Sequence, residues 1–135
     1  TGTETILLVD DEPSILKAGQ RLLSGYGYVV HEAANGKDAM AFIRRNADKI
    51  DLILSDMTMP RMSGLELKRK LDENRIEIPF AIMTGYSKFI TDHERQNHGI
   101  KAIVKKPMVI DELLSTVRTI LDGSGGQPGN PDTNL

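Results

Sequence analysis

The stretch Ile6-Leu7-Leu8-Val9-Asp10-Asp11-Glu12 joins four consecutive apolar residues to three carboxylates. A short, near-continuous apolar run of this kind is typical of a β-strand that is covered on both faces. Three further runs have the same character, and they lie at Leu52–Leu54, Phe80–Met83 and Ala102–Val104. A fifth run, Tyr28–Val30, is more mixed and predicts a strand nearer the edge of a sheet.

The segments between these runs repeat their apolar residues with a helical period. The last segment is the clearest, and its apolar face comprises Ile110, Leu113, Leu114, Val117, Ile120 and Leu121. The apolar residues assigned to the first three helices are Ala18 and Leu22 with the turn that follows them, then Ala39, Phe42 and Ile43, then Leu65, Leu67 and Leu71. The fourth helical segment, Ser87–His98, has only Phe89 and Ile90 as strongly apolar residues, so we expect it to be the least firmly docked.

Strand and helix alternate five times along the chain. This order predicts an α/β fold, a doubly wound five-stranded parallel sheet flanked by helices on both faces. Residues 4–122 are predicted to form the domain, and the Gly- and Pro-rich residues 123–135 are predicted to form a flexible tail.

The composition is that of a globular domain. Of the 135 residues, 39% are hydrophobic and 27% are charged, and there is no cysteine. The formal net charge of -2 argues against a nucleic-acid-binding surface in this domain. No apolar run approaches the ~20 residues that span a bilayer, so we expect a cytoplasmic location and no membrane segment. The chain begins at Thr1 and not at methionine, which agrees with a piece of a longer protein.

Polar side chains follow four of the predicted strands. Asp10 and Asp11 follow the first, Asp56 the third, Thr84 the fourth and Lys106 the fifth. Ligands of an open parallel sheet bind beyond the carboxyl ends of its strands, so we expect these side chains to converge. Clustered carboxylates repel one another unless a cation joins them, and Mg²⁺ suits a site with few protein ligands. An aspartate beside such an ion can attack a phosphoryl group and form an acyl phosphate.

Four motifs in this order resemble the hallmarks of response regulator receiver domains. They are Val9-Asp10-Asp11-Glu12, Asp56-Met57-Thr58-Met59-Pro60 followed by Ser63-Gly64, Met83-Thr84-Gly85-Tyr86, and Lys106-Pro107. The resemblance runs from about Glu4 to Leu121. It implies the flavodoxin-like strand order 2-1-3-4-5 and a place in a two-component phosphorelay.

The resemblance also implies a role for each matched residue. Asp56 is the phosphoacceptor, and Thr84 and Lys106 bind and sense the phosphoryl group. The residues that match Mg²⁺ ligands are Asp11 and Asp56 directly, Asp10 through water, and Thr58 through its backbone carbonyl. The phosphoryl group would come from the phosphohistidine of a sensor histidine kinase or a histidine phosphotransfer domain, and it would be hydrolysed slowly. The first and third motifs are similar to those of receivers attached to hybrid sensor histidine kinases.

One position departs from the family pattern. Receivers usually carry an aromatic residue three positions before the phosphate-binding lysine, and this chain has Ile103 there. We therefore expect signalling to depend on movement of the loop at Thr84 and of the helix that follows it. Tyr86 and Thr58 are predicted to flank the acyl phosphate, with Tyr86 screening it from water.

Other interpretations of the same residues stay open. Asp10 and Asp11 could simply form a turn and cap a helix, and Thr84 could cap backbone groups. A phosphatase of the haloacid dehalogenase type also uses a nucleophilic aspartate and Mg²⁺, but it usually has a second aspartate where this chain has Thr58. A flavodoxin would need a hydroxyl-rich phosphate loop after the first strand, where three carboxylates stand instead.

Overall fold

The computed structural model describes residues 3–85 and 92–123, apart from the side chains of residues 92–94. Its strands form one parallel sheet, and in chain order they are β1 (Thr5–Val9), β2 (Val29–Ala33), β3 (Leu52–Asp56), β4 (Phe80–Thr84) and β5 (Ala102–Lys105). The strand order across the sheet is β2-β1-β3-β4-β5. The predicted fold class and the strand order implied by the family resemblance are both confirmed.

Helices connect the strands, as expected for parallel pairing. They are α1 (Pro13–Ser24), α2 (Gly36–Asn46), α3 (Gly64–Glu73), α4 (Asp92–Asn97) and α5 (Ile110–Gly123), and a short 3₁₀ helix (Ala47–Lys49) follows α2. Local signals set where three of them begin. Proline occupies the first turn of α1, and the Asn35 side chain accepts the Asp38 N–H at the start of α2. Ser63 and Glu66 form a reciprocal capping box on α3.

The core consists of two apolar layers, one on each face of the sheet. Leu7 and Ile53 point to the layer that α2 and α3 cover, and Leu8 and Leu54 point to the layer that α1 and α5 cover. Alternate residues of one strand therefore enter opposite layers, which explains why the central strands are apolar throughout. Each fully buried leucine stabilises the fold by roughly 2 kcal/mol relative to exposure.

The buried face of α1 differs from the prediction. Ala18 is exposed and Leu22 is only half-buried, while Leu16, Gly19 and Leu23 face the sheet. Gly19 permits this orientation, because a Cβ at that position would lie 2.5 Å from Cδ2 of Leu8. An apolar-residue pattern does not register a glycine that is buried for its lack of a side chain, and the predicted face was therefore rotated.

The two edge strands also refine the predictions. β2 starts at Val29, whereas Tyr28 precedes it and packs into the core. β5 was predicted to be covered on both faces, but Ala102 and Ile103 are only half-buried. An edge strand has a neighbour on one side only, and for β5 that neighbour is β4. The predicted fourth helix, residues 87–98, is confirmed over α4, and residues 86–91 lie outside the described residues.

Candidate functional site

The predicted site residues meet at the carboxyl edge of the sheet. Asp10 follows β1 and is fully buried, and Asp56 is the buried last residue of β3. Thr84 is the buried last residue of β4, and its backbone carbonyl accepts the N–H of Lys106 at 3.0 Å. Parallel pairing aligns these strand ends, so the expected convergence is confirmed.

The three aspartates form a compact cluster of oxygen atoms. One carboxylate oxygen from each of Asp10, Asp11 and Asp56 lies within 4.8 Å of the other two. Lys106 reaches into this cluster, with Nζ at 2.8 Å from Oδ2 of Asp10 and 3.1 Å from Oδ1 of Asp56. Nζ is also 3.7 Å from Oε1 of Glu12, a neighbour that the sequence pattern did not single out as a site residue. The sequence signal that could have identified Glu12 is its position directly after Asp10 and Asp11.

The charges of the cluster suit a divalent cation. Three carboxylates and one ammonium group leave a formal charge of -2, and the donors are all hard oxygen atoms. Mg²⁺ binds through one or two carboxylates and keeps several water molecules, and it neither needs nor prefers a closed protein cage. Asp11 is exposed, so the cluster is open to solvent on its side. The residues present therefore fit Mg²⁺.

Burial dominates the titration of Asp56 and raises its pKa. The hydrogen bond and charge of Lys106 and a hydrogen bond from the Thr58 backbone act in the opposite direction, while the charge of Asp10 adds to burial; the net shift is upward. For Lys106, burial would lower the pKa, but its hydrogen bonds to Asp10 and Asp56 outweigh this and raise the pKa overall. The lysine therefore stays charged at neutral pH.

Asp56→Asn is expected to stabilise the metal-free domain at neutral pH by about 1 kcal/mol, because it removes a buried charge. The raised pKa of Asp56 means that folding favours the protonated carboxyl. Its contribution is complete below the unfolded pKa of about 4 and is lost as the pH rises through the folded pKa. Urea unfolding in EDTA should show a variant-to-wild-type difference that is smallest below the unfolded pKa and grows as the pH rises towards neutrality. A difference independent of pH would assign the effect to something other than ionisation.

The loop after Asp56 is fixed by close backbone contacts. The Met57 N–H donates to the Met83 carbonyl at 2.8 Å, and the Gly64 N–H donates to the Met57 carbonyl at 2.9 Å. A Cβ on Gly64 would lie 2.5 Å from the Asp56 carbonyl oxygen. The first turn of α3 is thus pressed against the backbone of Asp56, and only glycine permits this approach.

Gly64→Ala is expected to lower the free energy of unfolding by roughly 1–3 kcal/mol, because backbone atoms must separate to admit the methyl group. Gly85→Ala is a matched control, since a Cβ there would meet no atom of the described residues within 4 Å. Urea midpoints for the two variants provide the comparison. Equal midpoints would show that the loop absorbs the added methyl group.

The remaining predicted residues have mixed outcomes. Thr58 is exposed two positions after Asp56, and the ligand role of its carbonyl stays a prediction. Lys105, the residue before Lys106, is exposed. Ile103 is half-buried and packs against the core layer under α2 and α3. Tyr86 lies outside the described residues.

Comparison with known proteins identifies the family of the chain. The sequence model of the response regulator receiver domain matches residues 6–118. The chain belongs to this family. As a receiver domain of two-component systems, it has a phosphoryl-accepting role, and the haloacid dehalogenase alternative is not supported.

Individual relatives agree with the family match. The receiver is 32% identical to part of the sensor kinase CckA of Brucella abortus, over 90% of this chain and 13% of that protein. It is 31% identical to the response regulator MprA of Mycolicibacterium vanbaalenii, over 89% of this chain and 54% of that protein. The crystal structure of the receiver domain from the hybrid histidine kinase CckA superposes with a TM-score of 0.73 at 32% identity, covering 87% of this chain and 98% of that one. The chain thus spans a minor part of one curated relative and about half of the other.

Family membership carries two coarser conclusions. Receiver domains generally bind Mg²⁺ at an acidic aspartate cluster, and the described residues contain such a cluster. Receiver domains work with histidine kinases or histidine phosphotransfer domains. Among the helices of the described residues, none has the length and apolar character needed to cross a bilayer.

Proposed function

We propose that Asp56 accepts a phosphoryl group from the phosphohistidine of a sensor histidine kinase or a histidine phosphotransfer domain, in a reaction that requires Mg²⁺. A carboxylate oxygen of Asp56 forms the new bond to phosphorus while the bond between phosphorus and the imidazole nitrogen breaks. The donor histidine leaves as a neutral imidazole after it takes up a proton. Water later cleaves the acyl phosphate slowly and returns the carboxylate.

The observation that carries this proposal is the position of Asp56 in the acidic cluster. Of the three clustered carboxylates, that of Asp56 stands at the end of a central strand, with Oδ1 3.1 Å from Nζ of Lys106, whereas Asp10 and Asp11 belong to the loop after β1. Asp11 and Asp56 would hold Mg²⁺ directly, Asp10 would hold it through water, and Thr58 would do so through its backbone carbonyl. Bound there, the ion would supply positive charge beside the incoming phosphoryl group.

Lys106 and Thr84 act on the phosphoryl group once it is attached. The Lys106 ammonium already lies against Asp56, so a short movement brings it to a phosphoryl oxygen. Lysine serves there as a point charge. The Thr84 hydroxyl at the end of the neighbouring strand donates a hydrogen bond to another phosphoryl oxygen. Both groups therefore report the phosphorylation state to β4 and β5.

Intact mass spectrometry after incubation with acetyl phosphate tests this function. We expect one phosphoryl adduct in Mg²⁺, none in EDTA, and slow loss of the adduct once the donor is removed. An adduct that forms equally well in EDTA would overturn the metal dependence. The absence of any adduct, while calorimetry shows bound Mg²⁺, would overturn the phosphoacceptor role.

The similarity to a sensor kinase favours a hybrid kinase as the source of this receiver. Such a kinase would phosphorylate the domain from its own histidine or through a phosphotransfer partner. The cytoplasmic location and the limits of the domain, residues 4–122, stay predictions.

A further inference from the structure

Glu12 is a charged residue beside the candidate site that the proposed function does not use. It follows Asp11 directly, and its backbone N–H donates to Oδ1 of Asp10 at 2.9 Å. Glu12 is the N-cap residue of α1, yet its side chain makes no capping hydrogen bond to the helix. Capping is the ordinary structural role of a polar side chain at this position, and it does not account for where the Glu12 carboxylate lies.

The Glu12 carboxylate lies beside the cation of the site. Its Oε1 is 3.7 Å from Nζ of Lys106, and the same Nζ is 3.1 Å from Oδ1 of Asp56. Because both oxygens lie against one nitrogen atom, Glu12 is a near neighbour of the carboxylate that would bond to phosphorus. The distance from Glu12 to Lys106 exceeds that of a hydrogen bond, so Glu12 contributes its charge to the site more than a fixed contact.

Exposure increases from the Asp56 carboxylate outwards to that of Glu12. The side chain of Asp56 is 8% exposed, that of Lys106 is 16% exposed and that of Glu12 is 59% exposed. In phosphoryl transfer the attacking and leaving atoms are roughly in line, so the leaving group points away from buried Asp56 and towards solvent. The exposed charge of Glu12 is therefore placed to act on the leaving group of the donor.

The leaving groups of two donor classes differ in charge. In phosphohistidine and phosphoramidate the bond from phosphorus to a protonated nitrogen breaks, and the nitrogen keeps the electron pair and leaves as neutral imidazole or ammonia. In acetyl phosphate the bond from phosphorus to a carboxyl oxygen breaks, and the oxygen keeps the electron pair and leaves as acetate. A nearby carboxylate attracts the positive nitrogen of the first class and repels the oxygen that becomes negative in the second.

We propose that Glu12 is a specificity-determining residue, which favours donors with a phosphorus–nitrogen bond over acyl phosphates. The proposal rests on the proposed function of Asp56. Lys106 would bind the phosphoryl oxygens, which are the same in both donor classes. If Glu12 served only to position Lys106, its loss would change the rates with both classes by the same factor, whereas a charge that acts on the leaving group changes their ratio.

Phosphorylation of the full chain by phosphoramidate and by acetyl phosphate, followed by intact mass, tests the proposal. Glu12→Gln and Glu12→Lys change the charge at this position from negative to neutral and to positive. Glu77→Gln is the matched control, because Glu77 is exposed and precedes β4, towards the opposite edge of the sheet. The quantity compared is the rate constant with phosphoramidate divided by that with acetyl phosphate, at Mg²⁺ concentrations that saturate each variant.

We expect this ratio to fall about threefold in Glu12→Gln and on the order of tenfold in Glu12→Lys, the size of an exposed charge interaction removed and then reversed. The control should keep the wild-type ratio. The differences between the variants should shrink in about 1 M salt, because salt screens charges that are exposed to solvent.

Three results would overturn the proposal. An unchanged ratio in both Glu12 variants, even with both rate constants shifted, would limit Glu12 to positioning Lys106. A ratio that rises as the charge becomes positive would contradict the sign of the effect. A change in ratio of equal size at low and high salt would assign it to shape and not to charge. Failure of the proposed function is read separately, as the absence of an adduct from either donor in wild type.

Discussion

Asp56→Asn abolishes phosphorylation of the receiver by acetyl phosphate, because a carboxamide cannot form the acyl phosphate. The other carboxylates of the cluster are poor substitutes. Asp10 is fully buried and paired with Lys106, and Asp11, the next residue, is exposed to solvent. We therefore expect the adduct to fall to background and not merely to form more slowly. Intact mass at matched times in Mg²⁺ gives the measurement.

Asp48→Asn serves as the control for this loss. Asp48 is an exposed carboxylate of the 3₁₀ helix that precedes β3, so it lies at the opposite end of that strand. This control should gain the same adduct as wild type. An adduct retained by Asp56→Asn would direct the assignment to Asp11, and peptide mapping would then locate it.

Lys106→Met should destabilise the metal-free domain by roughly 2–3 kcal/mol, because it leaves two buried carboxylates without their shared cation. The Lys106 side chain is 16% exposed and that of Asp10 is fully buried, so solvent screens this loss only partly. Saturating Mg²⁺ should recover much of the stability, since the ion then neutralises the same oxygens and stabilises the folded state by mass action. Urea unfolding in EDTA and in Mg²⁺ provides both values.

Lys105→Met is the matched control, because this substitution removes the same charge from the chain at the exposed residue before Lys106. Its effect should stay within about 0.5 kcal/mol in both conditions. If Lys106→Met lost equal stability with and without Mg²⁺, the lysine would contribute by packing its aliphatic stem, and the charge interpretation would be wrong.

Most of the fold was predictable because its signals are local. Residues such as Leu7 and Leu8 alternate between two buried layers, and this requires an apolar residue at every position of a central strand. For α1 the prediction was wrong at Ala18, which is exposed, whereas Leu22 does pack against the core layer. The buried neighbour of Ala18 is Gly19, because Leu8 occupies the space of its missing side chain. The prediction for β5 was incomplete because edge position is a property of the whole sheet.

The candidate site was predictable for a related reason. Parallel strands bring their carboxyl ends together whatever the strand order, so Asp10, Asp56 and Lys106 could be placed at one edge before any distance was known. The pattern missed Glu12 near Lys106 and the hydrogen bond that the Thr58 backbone gives to Asp56. Both depend on how a loop closes over the cluster.

The sequence by itself determined the order of the elements, the two-sided burial of the central strands and the identity of the charged residues at the strand ends. Periodicity within one element and the chemistry of single residues are enough for these conclusions. The tertiary structure alone decided that Lys106 bridges Asp10 and Asp56 and that Gly64 packs against the Asp56 backbone. It also decided that the Arg95 side chain of α4 donates to the backbone carbonyls just before β5. The first two join residues from different elements and the third spans a left-handed turn, so their distances follow from how the helices pack on the twisted sheet and not from spacing along the chain.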